Sequence, residues 1–225
     1  GLQADRQVTL NNSDYNALVD AHPEKVQYST PRYSTNLNVK YGKESGFYQI
    51  SGANDEEVKI ENRQLLNGRF ISPKDIDEKQ NVAVIGRMVQ RDLIKNGDPV
   101  GKELEINGSV FKVIGVFSDD GGDWDERMIS IPISTLQQMK KGSDTVSTVY
   151  IAYDEKLNPE QAIAYSDQLK KELKARKKVS PDDENAVVVR NRAEGLKDSF
   201  QFLFVITMIV GFIGLGTLLA GIIGI

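Results

Sequence analysis

The sequence contains no cysteine and a single histidine, His22. The first absence excludes a disulfide framework and thiolate chemistry. With one histidine and no thiol, a zinc site built from His and Cys is excluded as well. A Ser-His-Asp relay would have only His22, and no nucleophile elbow accompanies it. His22 precedes Pro23 and reads as a surface residue ending a short helix. An excess of positive charge is also missing. Lys and Arg number 28 against 32 Asp and Glu, a formal charge of −4, and the pI is near 5.2. Nothing therefore points to nucleic acid. The segment Gly97-Asp98-Pro99-Val100-Gly101-Lys102-Glu103 superficially resembles a phosphate-binding loop. One residue too few separates its glycines, and Glu103 stands where a hydroxyl would hold magnesium. No cofactor is expected in this chain; if ATP is used, another chain or an unseen segment binds it. An ectodomain free of cysteine fits a bacterial envelope.

Long apolar runs are absent until the end. Phe202 to Ile225 then spans 24 residues without one charge. As a helix this run measures about 36 Å, enough to cross a hydrocarbon core of about 30 Å. Gly216, Ala220 and Gly224 recur within it at four-residue spacing, beside Thr217 and Gly221. Small residues so spaced let membrane helices pack closely. Residues 199–225 are thus expected to form a membrane helix, with residues 1–198 on one side of the membrane. The sequence starts at Gly1 rather than Met and stops with the apolar run, so it reads as part of a larger membrane protein.

The remainder has the pattern of a mixed globular domain. Ser13 is placed to cap a short helix carrying Tyr15, Leu18 and Val19. Val26 to Ile50 reads as strand, with turns at Tyr41-Gly42-Lys43 and Ser45-Gly46. Ser72-Pro73-Lys74-Asp75 starts a turn or helix. Asn81 to Ile85 is a short buried strand. Gly86 follows, then a helix with Met88, Val89 and Leu93 inward, closed by Asn96-Gly97. Asn107-Gly108 between apolar alternations marks a hairpin over Glu103 to Phe117. A helix runs from Ser134 to Lys141, and Val146 to Tyr153 is strand. Asn158-Pro159 opens a helix with Ala162, Ile163, Leu169 and Leu173 on one face. Ala186 to Val189 is a last strand. Asn191 with Glu194 then starts a helix that continues into the apolar run. Irregular alternation with a hairpin favours α+β over a doubly wound parallel sheet.

Two charged clusters have competing readings. Asp119, Asp120, Asp123, Asp125 and Glu126 surround Gly121-Gly122 and the only tryptophan, Trp124. The simplest reading is a solvated loop with Trp124 folded onto the domain. The alternatives are a partner contact through Asp123, Trp124 and Asp125, and a calcium site outside EF-hand spacing. Lys170, Lys171, Lys174, Arg176, Lys177 and Lys178 complement the dipole at a helix C-terminus and face water. Contact with anionic headgroups is the competing reading.

Six short motifs follow in order: Leu66-Asn67-Gly68-Arg69-Phe70, Val82-Ala83-Val84-Ile85-Gly86, Asp98-Pro99-Val100-Gly101-Lys102, Phe111-Lys112-Val113-Ile114-Gly115-Val116, Ile131-Pro132-Ile133 and Gly221-Ile222-Ile223-Gly224-Ile225. In this order the chain resembles the MacB-type periplasmic core domain of ABC transporter permeases, in the MacB/FtsX permease superfamily. The resemblance covers most of Leu10 to Ile225. It implies a two-lobed α+β extracytoplasmic domain. Residues 1–38 and 145–198 would form a porter-like lobe, and residues 39–144 an inserted β-rich, sabre-like lobe. It implies one membrane helix before the ectodomain and three after it, residues 199–225 being the second of four. It also implies a bacterial cytoplasmic-membrane location, an ABC-type ATPase subunit or domain, a second permease copy, and an adaptor with an outer-membrane channel as further partners. The family's segment leading into the ectodomain is absent here.

Under this resemblance the chain does no covalent chemistry. It would couple ATP hydrolysis mechanically to export or extraction of a peptide, lipopeptide, lipoprotein or macrolide-like substrate. Gly68, Arg69, Gly101, Gly115 and Pro132 read as structural, with Gly68 and Gly101 suited to turns of unusual φ and Arg69 paired to a nearby carboxylate. The alternatives are a signalling permease of the FtsX or peptide-sensing type, the ectodomain of a single-pass receptor, and a membrane-anchored enzyme.

Overall fold

The computed structural model describes residues 8–61, 63–184 and 186–191. They fall into two compact units, Thr9–Asp154 on one hand and Val8 with the described residues from Glu155 onward on the other.

In the larger unit, β1 (Leu10–Asn11) leads into α1 (Asn12–Asp20). Asn11, not Ser13, caps this helix. Its side chain accepts the Asp14 N–H, and Asp14 accepts the Asn11 N–H in return. This reciprocal box satisfies two end donors at once. After a 3-10 turn at Pro23–Lys25, β2 (Val26–Tyr41) and β3 (Glu44–Ala53) form a long hairpin. The turn expected at Ser45-Gly46 does not exist; both residues lie within β3. Gly46 instead makes room for a ring: a Cβ there would lie 2.9 Å from the Tyr48 ring. The chain continues through α2 (Glu57–Ile60), β4 (Gln64–Gly68), α3 (Pro73–Asp77), β5 (Val82–Gly86) and α4 (Arg87–Val89), which runs on as a π-turn over Gln90–Ile94. β6 (Glu103–Ile106), β7 (Ser109–Ser118), β8 (Met128–Pro132), α5 (Ile133–Met139), β9 (Thr145–Val146) and β10 (Thr148–Tyr153) complete the unit.

The strands close a ring. β2 pairs β3, β3 pairs β8, β8 pairs β5, β5 pairs β7, β7 pairs β6, and β6 returns to β2 through Val39↔Ile106. Closure leaves these strands few open edges. Two of the six pairs, β3–β8 and β5–β7, are parallel, so the sheet is mixed and the fold is a mixed α/β one. β10 extends the ring from β2, β4 extends it from β7, and β1 pairs β9 separately. β2 is continuous across residue 38, pairing β10 with its first half and β3 with its second.

Val39, Ile50, Ala83, Ile85, Leu104, Ile106, Phe111, Val113, Ile129 and Ile131 belong to one buried cluster. Val82, Val84, Ile114, Phe117 and Met128 belong to a second. β5 thus alternates between two cores, Ala83 and Ile85 in one and Val82 and Val84 in the other. A strand buried on both faces carries no polar alternation, which explains the unbroken run Val82-Ala83-Val84-Ile85. The hairpin turn has φ of +46° at Asn107 and +85° at Gly108, as a type I′ turn requires.

In the smaller unit, α6 (Pro159–Arg176) is capped by Asn158, with Gln161 completing the box. Ala162, Leu169 and Leu173 are buried as expected; Ile163 is half-buried. The basic end of α6 is not simply solvated. Lys174 is buried and donates to the Pro181 carbonyl at 2.8 Å, and both Lys170 and Lys174 pair with Glu184. No strand forms over Ala186 to Val189. A strand needs a ladder partner, which β-branched residues do not supply by themselves. Asn191 donates to Ala162 O and Ser166 Oγ, tying the chain back onto α6. Glu194, the other half of the expected capping pair, lies outside the described residues.

Candidate functional site

The tryptophan loop is held at both ends. Glu126, 1% exposed, accepts the Asp119 N–H at 3.1 Å and the Arg87 Nε–H at 2.8 Å. Asp119 in turn accepts from Arg63 Nε at 3.4 Å and from the Gly121 N–H at 2.9 Å. Gly86 lets the loop rest on the end of β5, since a Cβ there would lie 2.1 Å from the Glu126 carbonyl oxygen. A 3-10 turn over Asp125–Arg127 then delivers the chain into β8. Between these anchors Trp124 is 86% exposed. It is not folded onto the domain, contrary to the simplest reading of the sequence. Nor do the carboxylates converge. Asp119 faces Arg63, Glu126 faces Arg87, and among the described residues no cluster suited to a metal ion forms.

A second exposed aromatic, Phe47, 77% exposed, shares an open groove with Trp124. Asn36, Tyr48, Gln49 and Arg127 complete the lining. The register explains the juxtaposition: Gln49 on β3 pairs with Met128 on β8, one residue beyond Arg127. Burial and the Asp92 charge push the Tyr48 phenol up from its ordinary value. Sequence reasoning missed Phe47. Its only signal was the alternation of β3, which turns Tyr48 and Ile50 inward and Phe47 outward.

A buried ion cluster was also missed. Glu57, 2% exposed, takes Arg32 Nη2 at 2.8 Å on one oxygen and Arg63 Nη1 at 2.8 Å on the other. The Ser130 hydroxyl donates to Glu57 at 3.2 Å. Arg32 also reaches Glu61 at 2.6 Å and lies over the Tyr150 ring; Arg63 lies over Phe117. Burial works against the Arg32 charge, but Glu57 and Glu61 outweigh it and raise its pKa. The cluster joins α2 to β2 and β8, and Arg63 carries it on to Asp119 at the root of the tryptophan loop.

Of the residues expected to be structural, Gly68, Arg69, Gly101 and Gly115 meet at β7. Gly68 and Gly115 stand opposite each other in the β4–β7 ladder. Asn67 Nδ2 donates to Asp98 Oδ1 at 2.8 Å, and the same oxygen accepts the Val100 N–H at 2.9 Å. Gly101 N–H donates to the Val113 carbonyl, and Val113 N–H donates back to Lys102. Three sequence motifs are thereby tied together, and the loop once resembling a phosphate cradle is a turn organised by Asp98. Pro132 ends β8 and precedes α5. Arg69 grips Asp75 with two hydrogen bonds, of 2.5 and 2.9 Å, while Ser72 donates its N–H and hydroxyl to the same carboxylate. The Arg69 bonds outweigh burial and hold the Asp75 carboxyl at about 2, below its ordinary 3.8. A depressed folded pKa adds stability above the unfolded value and loses it as pH falls. The melting-temperature gap between the native chain and D75N is expected to shrink between pH 4 and about 2; a gap independent of pH would contradict this.

The chain matches the MacB-like periplasmic core domain over residues 3–169. It belongs to that family. Over 211 residues it is 25% identical to the macrolide export ATP-binding/permease protein MacB of Aggregatibacter actinomycetemcomitans, covering 91% of this chain and 32% of that protein. Over 210 residues it is 28% identical to the pyoverdine export ATP-binding/permease protein PvdT of Pseudomonas aeruginosa, with 90% and 32% covered. The chain therefore spans about a third of the length of these curated relatives. Its fold is similar to the periplasmic region of MacB from Actinobacillus actinomycetemcomitans, with a TM-score of 0.72 at 22% identity, covering 88% of this chain and 85% of that one. It is also similar to the extracellular domain of the ABC-type transporter YknZ from Gram-positive bacteria, with a TM-score of 0.66 at 16% identity, covering 76% and 86%. In this MacB-like core domain, the matched span takes in the whole strand ring and the tryptophan loop. The expected membrane helix, with Gly216, Ala220, Gly221 and Gly224, lies outside the described residues. Among the described residues no helix is long and apolar enough to cross a membrane.

Proposed function

We propose that the chain is the extracytoplasmic domain of an ABC transporter permease, which couples ATP hydrolysis in the cytoplasm to export or extraction of a substrate. The observation that carries this reading is the family match across residues 3–169. In this reading residues 1–38 and 145–198 act as the porter-like lobe and residues 39–144 as the sabre-like lobe. Residues 199–225 cross the bacterial cytoplasmic membrane as the second of four helices. A second permease copy and an ABC-type ATPase, fused or separate, complete the machine, and ATP and Mg belong to that ATPase. The domain itself makes and breaks no covalent bond. It moves as a mechanical element, and a periplasmic adaptor with an outer-membrane channel receives what it delivers. The substrate is a peptide, lipopeptide, lipoprotein or macrolide-like compound. A closed strand ring suits such work, because strands paired on both sides and packed around one core transmit force with little internal give.

The test is purification of the tagged full-length protein in mild detergent, with mass spectrometry of whatever accompanies it. A stoichiometric P-loop ATPase, as a domain or a subunit, and four apolar spans are expected. A single span followed by a signalling domain, without an ATPase, would replace this reading with a receptor.

A further inference from the structure

We propose that the groove between Phe47 and Trp124 binds a cationic amphipathic peptide. The proposal names a substrate class for the transporter reading and rests on it. The aromatics carry the argument. Two large rings exposed in one groove of about 750 Å³ leave apolar area that a ligand of several side chains can cover. Trp124 is presented on a loop fastened by Glu126–Arg87 and Asp119–Arg63, so little entropy is lost when a ligand lands on it. An indole held outward in this way is the kind of anchor that dominates recognition surfaces.

Charge selects the ligand. Asp120, Asp123 and Asp125 flank Trp124 along the loop, at the rim of the groove rather than in its lining; all are exposed, and none forms an ion pair among the described residues. Arg127, the basic residue in the groove lining, pairs with Asp92 at 2.7 Å, a carboxylate it shares with Arg91, so the three loop aspartates outnumber the one cation left over. The surface around the rings is therefore acidic. A lysine or arginine over the Trp124 face gains from the ring and from the carboxylates together. An anionic or uncharged apolar ligand would leave those carboxylates uncompensated. Asn36 and Gln49 offer amide groups to a peptide backbone along the groove floor.

The experiment is calorimetric titration of the full-length protein in neutral detergent. The probes are a short synthetic peptide alternating lysine and leucine, its glutamate–leucine counterpart, and a lysine–serine peptide lacking apolar side chains. Binding of the lysine–leucine peptide alone is expected, weakening as salt rises. W124A should weaken it by about tenfold or more. The double variant D123N/D125N should weaken it less and flatten its salt dependence. All three side chains are exposed, so these variants fold. Equal binding by W124A, equal binding of the glutamate–leucine peptide, or equal binding of the lysine–serine peptide would each overturn the proposal. ATP hydrolysis measured on the same preparation separates the two readings. Hydrolysis without peptide binding removes the site and leaves the transporter. Binding that depends on Trp124 without any ATPase leaves the site and removes the transporter.

Discussion

Alanine at Gly68 or Gly115 is expected to cost the larger unit about 3 kcal/mol or more, a fall in melting temperature of roughly 10 °C for a domain of this size. The two glycines face each other across the β4–β7 ladder, and each is needed by the other strand's backbone. A Cβ on Gly68 would lie 2.2 Å from the Ile114 carbonyl oxygen, and one on Gly115 would lie 2.3 Å from the Arg69 carbonyl oxygen. The obstacle is backbone, which no rotamer change can move. The Ile114 carbonyl is fixed where it is because it accepts the Arg69 N–H at 2.9 Å. Gly68 has the further demand of φ at +76°. Among the described residues β7 is the only ladder partner of β4, so relieving the overlap means detaching β4. Gly101→Ala is the internal comparison. Its φ of +90° strains any side chain, but nothing lies within 4 Å of the added atom. Only the backbone term remains there, about 1–2 kcal/mol. Circular-dichroism melts of the three variants should rank both ladder glycines well below Gly101. A Gly115→Ala chain melting within about 2 °C of the native one would refute the steric argument.

Removing the Glu57 carboxylate is expected to be comparably severe. Its two oxygens neutralise Arg63 and share Arg32, and Arg63 is itself almost wholly enclosed. Among the described residues, E57A leaves the buried Arg63 charge with only Asp119, 3.4 Å away, for compensation. Breaking a buried pair from one side costs about 3–5 kcal/mol, chiefly from the charge left behind. Removing both charges should hurt less than either loss would suggest. The double variant E57L/R63M is therefore expected to cost clearly less than the sum of E57L and R63M. Urea midpoints of the four proteins give the comparison. Strict additivity, or an E57A midpoint equal to the native one, would mean that the cluster contributes nothing beyond packing.

What could be read from the sequence was local. Asn107-Gly108 specifies its turn through its own backbone angles, and Ser72 and Asn158 specify helix starts through side chains that reach only three residues along. The unbroken apolar run at Val82 to Ile85 announces a strand buried on both faces. The pairing of Arg69 with a carboxylate needed only a partner six residues away. Errors came where a residue answers to something distant. Gly46 looks like a turn residue, yet its missing Cβ serves the Tyr48 ring. Ala186 to Val189 has strand composition and no ladder. Lys174 looks like a solvated cation and is buried against the segment that follows its helix.

The sequence by itself determined the helix starts at Ser72 and Asn158, the hairpin turn, the buried run of β5 and, through ordered motifs, membership of the MacB-like periplasmic core domain. Each rests on dihedral preference or on patterns a few residues long. Only the tertiary structure decided that β6 returns to β2 and closes the ring, that Gly68 meets Gly115, that Glu57 gathers Arg32 and Arg63, and that Phe47 joins an outward-facing Trp124. Those pairings link residues far apart in the chain. Their stability comes from backbone contact, desolvated charge and register, which exist only once the strands have met.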